Sequence, residues 1–275
     1  MKKPFDIVEL FETSKPIIGM LHLDYLEGDY FKGINHVVKK ALVDIKVLEQ
    51  GGIDGILIEN WKEESLGEFV SNETSKNLTE VVIKLSKIIK VPFGINILNN
   101  DYKVAFSVAK KTGASFVELD VFVDKVKSDF INNQVAKKHP FVIDPKPDEI
   151  CNYAKSIGAG NIPLFVFVQP KHYIMLKNKT IEDSARQAEE AGASAILVTK
   201  ETGIAPTLDL IKKAKSVVNI PIGIGSGFSS DNAEIYLAVA DFAVVGTSIK
   251  KNGITDNPVD HQKVNDLMKI VKKIR

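Results

Sequence analysis

NIPIGIGSGFSSDNAEIYLAVADFAVVGTSIK, residues 219–250, is the stretch on which the reading of this chain turns. An apolar run from Ile220 to Ile224 enters Gly225-Ser226-Gly227, and a second from Phe242 to Val245 enters Gly246-Thr247-Ser248. Between them Asp231, with Glu234 three residues on, reads as the start of a helix closed by a capping pair. Strand, glycine turn, helix, strand, glycine turn is the order of a parallel βαβ unit. Adjacent parallel strands that both end in such turns leave backbone N–H groups at one edge, where glycine permits close approach and a helix start adds positive potential. Gly225, Ser226, Gly227, Gly246, Thr247 and Ser248 are therefore expected to hold a phosphate, although the same glycines also suit tight turns that bind nothing.

The same punctuation recurs outward from this stretch. Four apolar runs begin at a proline, at Pro16, Pro92, Pro163 and Pro221, and four follow a glycine or small residue, at Gly51, Gly113, Gly192 and Ala240. Proline is tolerated at the first residue of a strand, and glycine caps the preceding helix. Helical spacing fills the gaps at about residues 33–50, 75–90, 101–112, 147–157, 181–191, 206–217, 231–239 and from 260 onward, as in Val37, Ala41, Ile45 and Leu48. Pro147 and Pro206 suit first helical turns, and Thr180 suits a cap. Eight strands alternating with eight helices, without a break in composition, predict one (β/α)8 barrel over residues 1–275, with a doubly wound open sheet as the alternative. Phe5–Glu12 reads as a short helix closing the barrel's N-terminal end. Residues 122–140 interrupt the pattern after the fourth strand and are a candidate lid.

Composition bounds the function. The 275 residues carry a net charge of +1, which gives no electrostatic case for nucleic acid or an anionic membrane. The single cysteine, Cys151, cannot close an intramolecular disulfide and suits a buried small apolar position. No signal-peptide pattern or membrane-length apolar run is present, so a cytoplasmic protein is expected, with a homo-oligomer as the default for a barrel of this size.

In a barrel, chemistry sits at the C-terminal ends of the strands. There the sequence places His22, Glu59, Asn60, Asn96, Asn100, Glu118, Asp120, Lys171, His172 and Thr199. In Phe116-Val117-Glu118-Leu119-Asp120-Val121 the apolar residues alternate with the carboxylates, so Glu118 and Asp120 are expected to face the interior. Buried carboxylates need a cation, a donor or a proton. Glu118 is expected to be an interior charge paired with a lysine, and Asp120, nearer the strand's end, to be functional. Asp120 and Glu59 are candidates for acid–base work, with Lys171 or His172 to stabilise an oxyanion. His22, Asn60, Asn96, Asn100 and Thr199 would position substrate. No cofactor is expected, although two histidines with Glu59 or Asp120 could hold a divalent metal, which leaves a metal-assisted hydrolase as one alternative.

Ile18–Leu23 (IGMLHL), Asp54–Asn60 (DGILIEN), Gly94–Asp101 (GINILNND), Lys171-His172, Gly225–Gly227, Val245–Gly253 (VGTSIKKNG) and Asn257–Asp260 (NPVD) together resemble the BtpA family, also called BtpA/SgcQ, over nearly the whole chain. The resemblance implies a ribulose-phosphate-binding type of TIM barrel with its phosphate site at residues 225–227 and 246–248. It does not imply one reaction: some members are named for photosystem I biogenesis, and others accompany sugar-uptake genes. Two readings follow, an isomerase or lyase acting on a phosphorylated sugar-like metabolite, or a non-catalytic assembly factor. This chain departs from the family at Asp24–Asp29, in place of a proline-rich segment, and at Phe167, in place of an acidic residue. A Gly-rich nucleotide-hydrolase loop ending in GK[ST] is absent from the sequence.

Overall fold

The structure, a computed structural model, describes residues 5–62, 67–129 and 140–275. In chain order its strands are β1 (Ile17–His22), β2 (Gly55–Glu59), β3 (Phe93–Asn96), β4 (Phe116–Leu119), β5 (Val126–Ser128), β6 (Val142–Ile143), β7 (Leu164–Val168), β8 (Tyr173–Met175), β9 (Ala195–Val198), β10 (Ile222–Ile224) and β11 (Phe242–Val245). The helices are α1 (Ile7–Phe11), α2 (Ile34–Gln50), α3 (Asn72–Leu85), α4 (Tyr102–Thr112), α5 (Pro147–Ser156), α6 (Ile181–Glu190), α7 (Leu208–Lys215), α8 (Ala233–Leu237) and α9 (His261–Ile274). All eight apolar runs become parallel strands, and β1, β2, β3, β4, β7, β9, β10 and β11 close into a TIM barrel in that order. Closure leaves these eight strands without an exposed edge, which an open sheet would keep.

Local chemistry sets the helix boundaries. Val37, Ala41, Ile45 and Leu48 form the buried stripe of α2. Thr180 closes a capping box with Asp183, and Pro147 occupies the first turn of α5. Two expectations fail. Helix α8 starts after Asn232 rather than Asp231 and has no side-chain cap. Asn232 instead donates to Gly227 O at 2.9 Å and accepts from Ser229 N at 3.0 Å, so the turn after β10 takes the side chain that would have capped. Pro206 lies outside α7, whose cap is Thr207. The Pro206 carbonyl accepts from Tyr236 Oη at 2.7 Å, which ties the segment to α8.

The candidate lid over residues 122–140 carries regular structure where it is described. Residues 126–128 pair antiparallel with both β6 and β8, a three-stranded sheet that joins the excursion after β4 to the one after β7. Val126 and Ile143 bury with Val121 in a separate apolar cluster, which gives this segment a small core of its own. Residues 130–139 of the lid lie outside the described residues.

The barrel interior is filled from the bottom by phenylalanine against glycine. Phe116, Phe165 and Phe242 are fully buried, and the Phe116 and Phe165 rings stack at 4.6 Å. A Cβ on Gly94 would lie 2.2 Å from the Phe116 ring, and one on Gly223 would lie 2.3 Å from the Phe242 ring. Each ring therefore fills the space that a neighbouring strand leaves empty. Helix α1 plugs the N-terminal end as expected, adding Ile7 and Phe11 to the same cluster. With the lower barrel packed solid, polar chemistry is confined to the C-terminal mouth. Among the described residues no helix is long and apolar enough to cross a membrane. Gly94→Ala should destabilise the fold by about 1–3 kcal/mol through overpacking, and Phe116→Leu in the same chain should recover part of the loss, as read by urea unfolding.

Candidate active site at the barrel mouth

Register brings the polar residues together. Parallel pairing places His22 opposite Glu59, Glu59 opposite Asn96, and Asn96 opposite Glu118. One level of the wall formed by β1 to β4 is therefore polar. Because the strands of a closed barrel tilt, the same register row descends through Phe165 and Ala195 into the lower barrel, where Phe165 stacks on Phe116. The inward-facing ends of β1–β4 thus form a polar arc above the phenylalanine layer.

Both carboxylates of the fourth predicted run face inward, as their alternation required. Asn96 Nδ2 donates to Glu118 Oε1 at 2.9 Å and to Asp120 Oδ1 at 3.1 Å. Glu118 is 2% exposed. Its expected lysine contact is replaced by this amide bond, and the ammonium of Lys171 acts on it only through space. Burial, followed by the charges of Asp120 and Glu59, pushes Glu118 up to about 8. Burial and the charge of Asp120 push Glu59 up to about 8, against the pull of Lys171. Asp120 is raised by burial, against its Asn96 bond and Lys171. Lys171 thus acts on all three carboxyls, and it also lies 6.0 Å from the centre of the Phe167 ring.

The histidines divide. His22 Nε2 lies 3.7 Å from Glu59 Oε1, and burial, with Lys250 and Lys171 nearby, holds its imidazole well below the usual range. His22 Nδ1 is buried without a hydrogen-bond partner among the described residues. His172 turns away to Thr202, 2.9 Å between Nε2 and Oγ1, and burial holds it down at about 4. Its φ of 66° and the φ of 48° at Gln169 bend the loop after β7 sharply, and Asp124 holds that loop by accepting from Gln169 N at 2.8 Å.

Several predicted substrate contacts are engaged in holding loops. Asn60 Oδ1 accepts from Leu98 N at 2.7 Å, and Asn100 Oδ1 accepts from Val121 N at 2.9 Å, so each fixes the end of a neighbouring strand. Thr199 Oγ1 donates to Ser226 Oγ at 3.0 Å. Ser226 Oγ in turn accepts from Lys200 N at 2.9 Å and donates to Ile204 O at 2.8 Å. Ser248 Oγ donates to Phe228 O at 2.6 Å, and Thr247 Oγ1 lies 2.8 Å from Thr255 Oγ1. The hydroxyls of both glycine turns therefore have partners within the protein, which leaves the backbone amides as the groups to offer an anion. A Cβ on Gly225 would lie 2.2 Å from the Phe167 ring, and one on Gly227, where φ is 63°, would lie 2.0 Å from Ala205 N. Gly246 has more room, with His22 Cε1 and Met20 Cγ each 3.3 Å from the Cβ position.

Sequence reasoning missed three features. Tyr173 on β8 donates to Asn99 O at 3.2 Å, and burial together with Asp120 and Glu68 raises its phenol well above the usual range. Its place beside Lys171-His172 was the available signal, but only the extra sheet turns it toward the mouth. Lys250 is 1% exposed and pairs with Asp44 at 2.9 Å, anchoring the segment after β11 to α2. Next to His22 a cavity of about 140 Å³ opens, flanked by Trp61, Lys62, Lys250 and Asp256. Among the described residues no group of three or more His, Cys, Asp or Glu side chains is arranged to hold a metal ion.

Comparison with known proteins agrees with this architecture. The model of the BtpA family matches residues 13–273. An uncharacterized protein of Pyrococcus furiosus is 32% identical over 262 residues, 94% of this chain and 95% of its own length. The putative sgc region protein SgcQ of Escherichia coli K12 is 30% identical, covering 97% of this chain and 98% of its own. The photosystem I biogenesis protein BtpA of Synechocystis is 26% identical, covering 94% of this chain and 89% of its own. Among solved structures, Thermoplasma acidophilum (S)-3-O-geranylgeranylglyceryl phosphate synthase, in complex with sn-glycerol-1-phosphate, superposes with a TM-score of 0.58 at 14% identity, covering 97% of this chain and 96% of its own. Thiamine phosphate pyrophosphorylase of P. furiosus gives 0.55 at 17%, covering 94% and 96%. At these identities the structural likeness shows the fold.

The raised carboxyls make stability depend on pH. An acid whose folded value lies near 8 and whose unfolded value lies near 4.5 contributes fully below 4.5, and the contribution fades as pH rises toward 8. Stability should therefore fall between pH 5 and 8 by up to about 1.4 kcal/mol per pH unit for each such group. Glu118→Gln should flatten that slope, as read by denaturant unfolding across the pH range.

Proposed function

The chain belongs to the BtpA family, and on that premise we propose that it is an enzyme acting on a small phosphorylated, sugar-like metabolite by proton-transfer chemistry at carbon. The observation that carries the reading is the mouth itself: buried Glu59 and Glu118 with part-buried Asp120, all three acted on by the charge of Lys171, on a barrel whose β10 and β11 both end in glycine turns. Several structural neighbours are named for phosphorylated compounds, which supports a phosphorylated ligand for this chain.

In this reading the amides around Gly227 and Gly246–Ser248 hold the phosphate, and its binding energy orients the reactive end toward β1–β4. Asp120, at the rim of the polar arc, takes a proton from a carbon next to a carbonyl. Lys171 faces the oxygen on which negative charge develops and stabilises it. His172 is set aside for that role, because Thr202 engages it and burial keeps it uncharged. Glu59, uncharged at neutral pH, donates to a substrate oxygen, with His22 beside it. A donor set of neutral acids and one ammonium suits a carbonyl or hydroxyl end better than a second anion.

Thermal-shift measurements against pentose and hexose phosphates and the matching free sugars test the reading. Phosphorylated compounds should raise Tm by a few degrees at saturating concentration, and free sugars should not. Stabilisation by free sugars but never by their phosphates would overturn it. Gly246→Val should abolish the phosphate-dependent shift while crowding His22 and Met20, and Gly246→Ala, with its smaller intrusion, should weaken it without loss of fold. A Gly246→Val protein that folds and keeps the full shift would place the phosphate elsewhere.

A further inference from the structure

Glu118 has no place in the chemistry above, yet its surroundings are the most constrained in the molecule. The two hydrogens of Asn96 Nδ2 go to different carboxyls, one to Glu118 Oε1 at 2.9 Å and one to Asp120 Oδ1 at 3.1 Å. A carboxamide can serve two acceptors in this way, but it does not cancel the repulsion between two negative charges held around one nitrogen. Glu118 is 2% exposed and its Oε2 has no hydrogen-bond partner among the described residues. A full charge on an unsatisfied, water-excluded oxygen is far more costly than a neutral hydroxyl there. The other ionisable groups around the pair are Glu59 on β2, His22 on β1, Tyr173 on β8 and Lys171 after β7. Lys171 is the cation that draws down both carboxyls, and Asp120, unlike Glu118, is reached by solvent at the rim.

We propose that Glu118 and Asp120 work as one ionisable unit across Asn96, holding a single proton at neutral pH that resides on Glu118 and leaves Asp120 as the ionised base. Burial and the charges of Asp120 and Glu59 favour the proton on Glu118. Glu118 is thus a positioning residue, acting on substrate through Asp120. By staying neutral it keeps a second negative charge away from the base, and it fixes Asn96 so that Asp120 Oδ1 is held toward the mouth.

The role toward substrate rests on the function proposed above, whereas the proton count belongs to the free protein. In the substrate step, Asp120 takes the proton from carbon, the C–H electron pair becomes the C=C bond of an enediolate, and negative charge moves to the oxygen facing Lys171. Both carboxyls are then neutral. Asp120 then returns its proton to the former carbonyl carbon while the proton of the adjacent hydroxyl passes to the oxyanion, so that the new C=O forms at the hydroxyl carbon and the protein regains its starting state with no net change in protons. That cycle is an isomerisation, and it names the reaction class within the proposed function.

Infrared difference spectra of the carboxylic-acid C=O stretch test the unit without any ligand. At pH 6, Glu118→Gln should remove one acid band that Asp120→Asn retains. Asp120→Asn should also lower the titration midpoint of that band by about one pH unit or more, the signature of coupling. Glu59→Gln identifies the separate band of Glu59. Loss of the band in Asp120→Asn but not in Glu118→Gln, or an unmoved midpoint, would overturn the proposal. If Glu118→Gln does not fold, ¹³C-carboxyl glutamate NMR of the wild-type, Glu59→Gln and Asp120→Asn proteins reads the same proton and midpoint. A coupled pair in a protein that no phosphorylated sugar stabilises would leave the proton unit standing and remove the substrate reading.

Discussion

Strand register at the mouth is the constraint on which the rest depends. His22, Glu59, Asn96 and Glu118 lie on one level because β1 to β4 pair in a single stagger. A slip of one residue in any of these strands would turn its polar side chain into the helix-facing wall and an aliphatic one into the mouth. The register is held by what surrounds it: Ile17, Leu21, Ile56, Ile58, Ile95, Val117 and Leu119 are buried against the helices. The polar level is thus fixed by the apolar residues that alternate with it.

The second constraint is volume. Phenylalanines fill the lower barrel against glycines on adjacent strands, and Phe167 extends that packing up to Gly225. Water is excluded from below, so the carboxyls above sit against a dry floor. This arrangement raises Glu59 and Glu118, since burial is the largest cause for both. Phe167 carries this apolar packing up to the level of Lys171, whose ammonium lies over its ring.

The loops complete the mouth with backbone-directed side chains. Asn60, Asn100, Asp124 and Ser226 each bond to a main-chain group of another segment, and Thr199 donates to the Ser226 hydroxyl. Such bonds hold the strand ends and turns in place without themselves contributing to chemistry, a division in which the scaffold residues outnumber the reactive ones. In the turns after β10 and β11 the same division engages the hydroxyls within the protein and leaves the backbone amides as the groups that the proposed anion would meet.

The sequence by itself determined the barrel, because strand and helix periods alternate along it without interruption and proline and glycine mark nearly every boundary. It also determined that Glu118 and Asp120 face inward, since a two-residue period leaves them no other side. Only the tertiary structure decided what those residues meet. Asn96 reaches Glu118 and Asp120 because β3 and β4 are neighbours in a particular register, and His172 turns to Thr202 because the loop after β7 bends through a left-handed residue. The sheet of β5, β6 and β8 was hidden for a related reason: its strands are two or three residues long, too short to show a period, and their partners are distant in the chain. Periodicity is local and survives in one dimension, whereas hydrogen-bond partners and the burial that moves a proton arise only when separate strands are brought side by side.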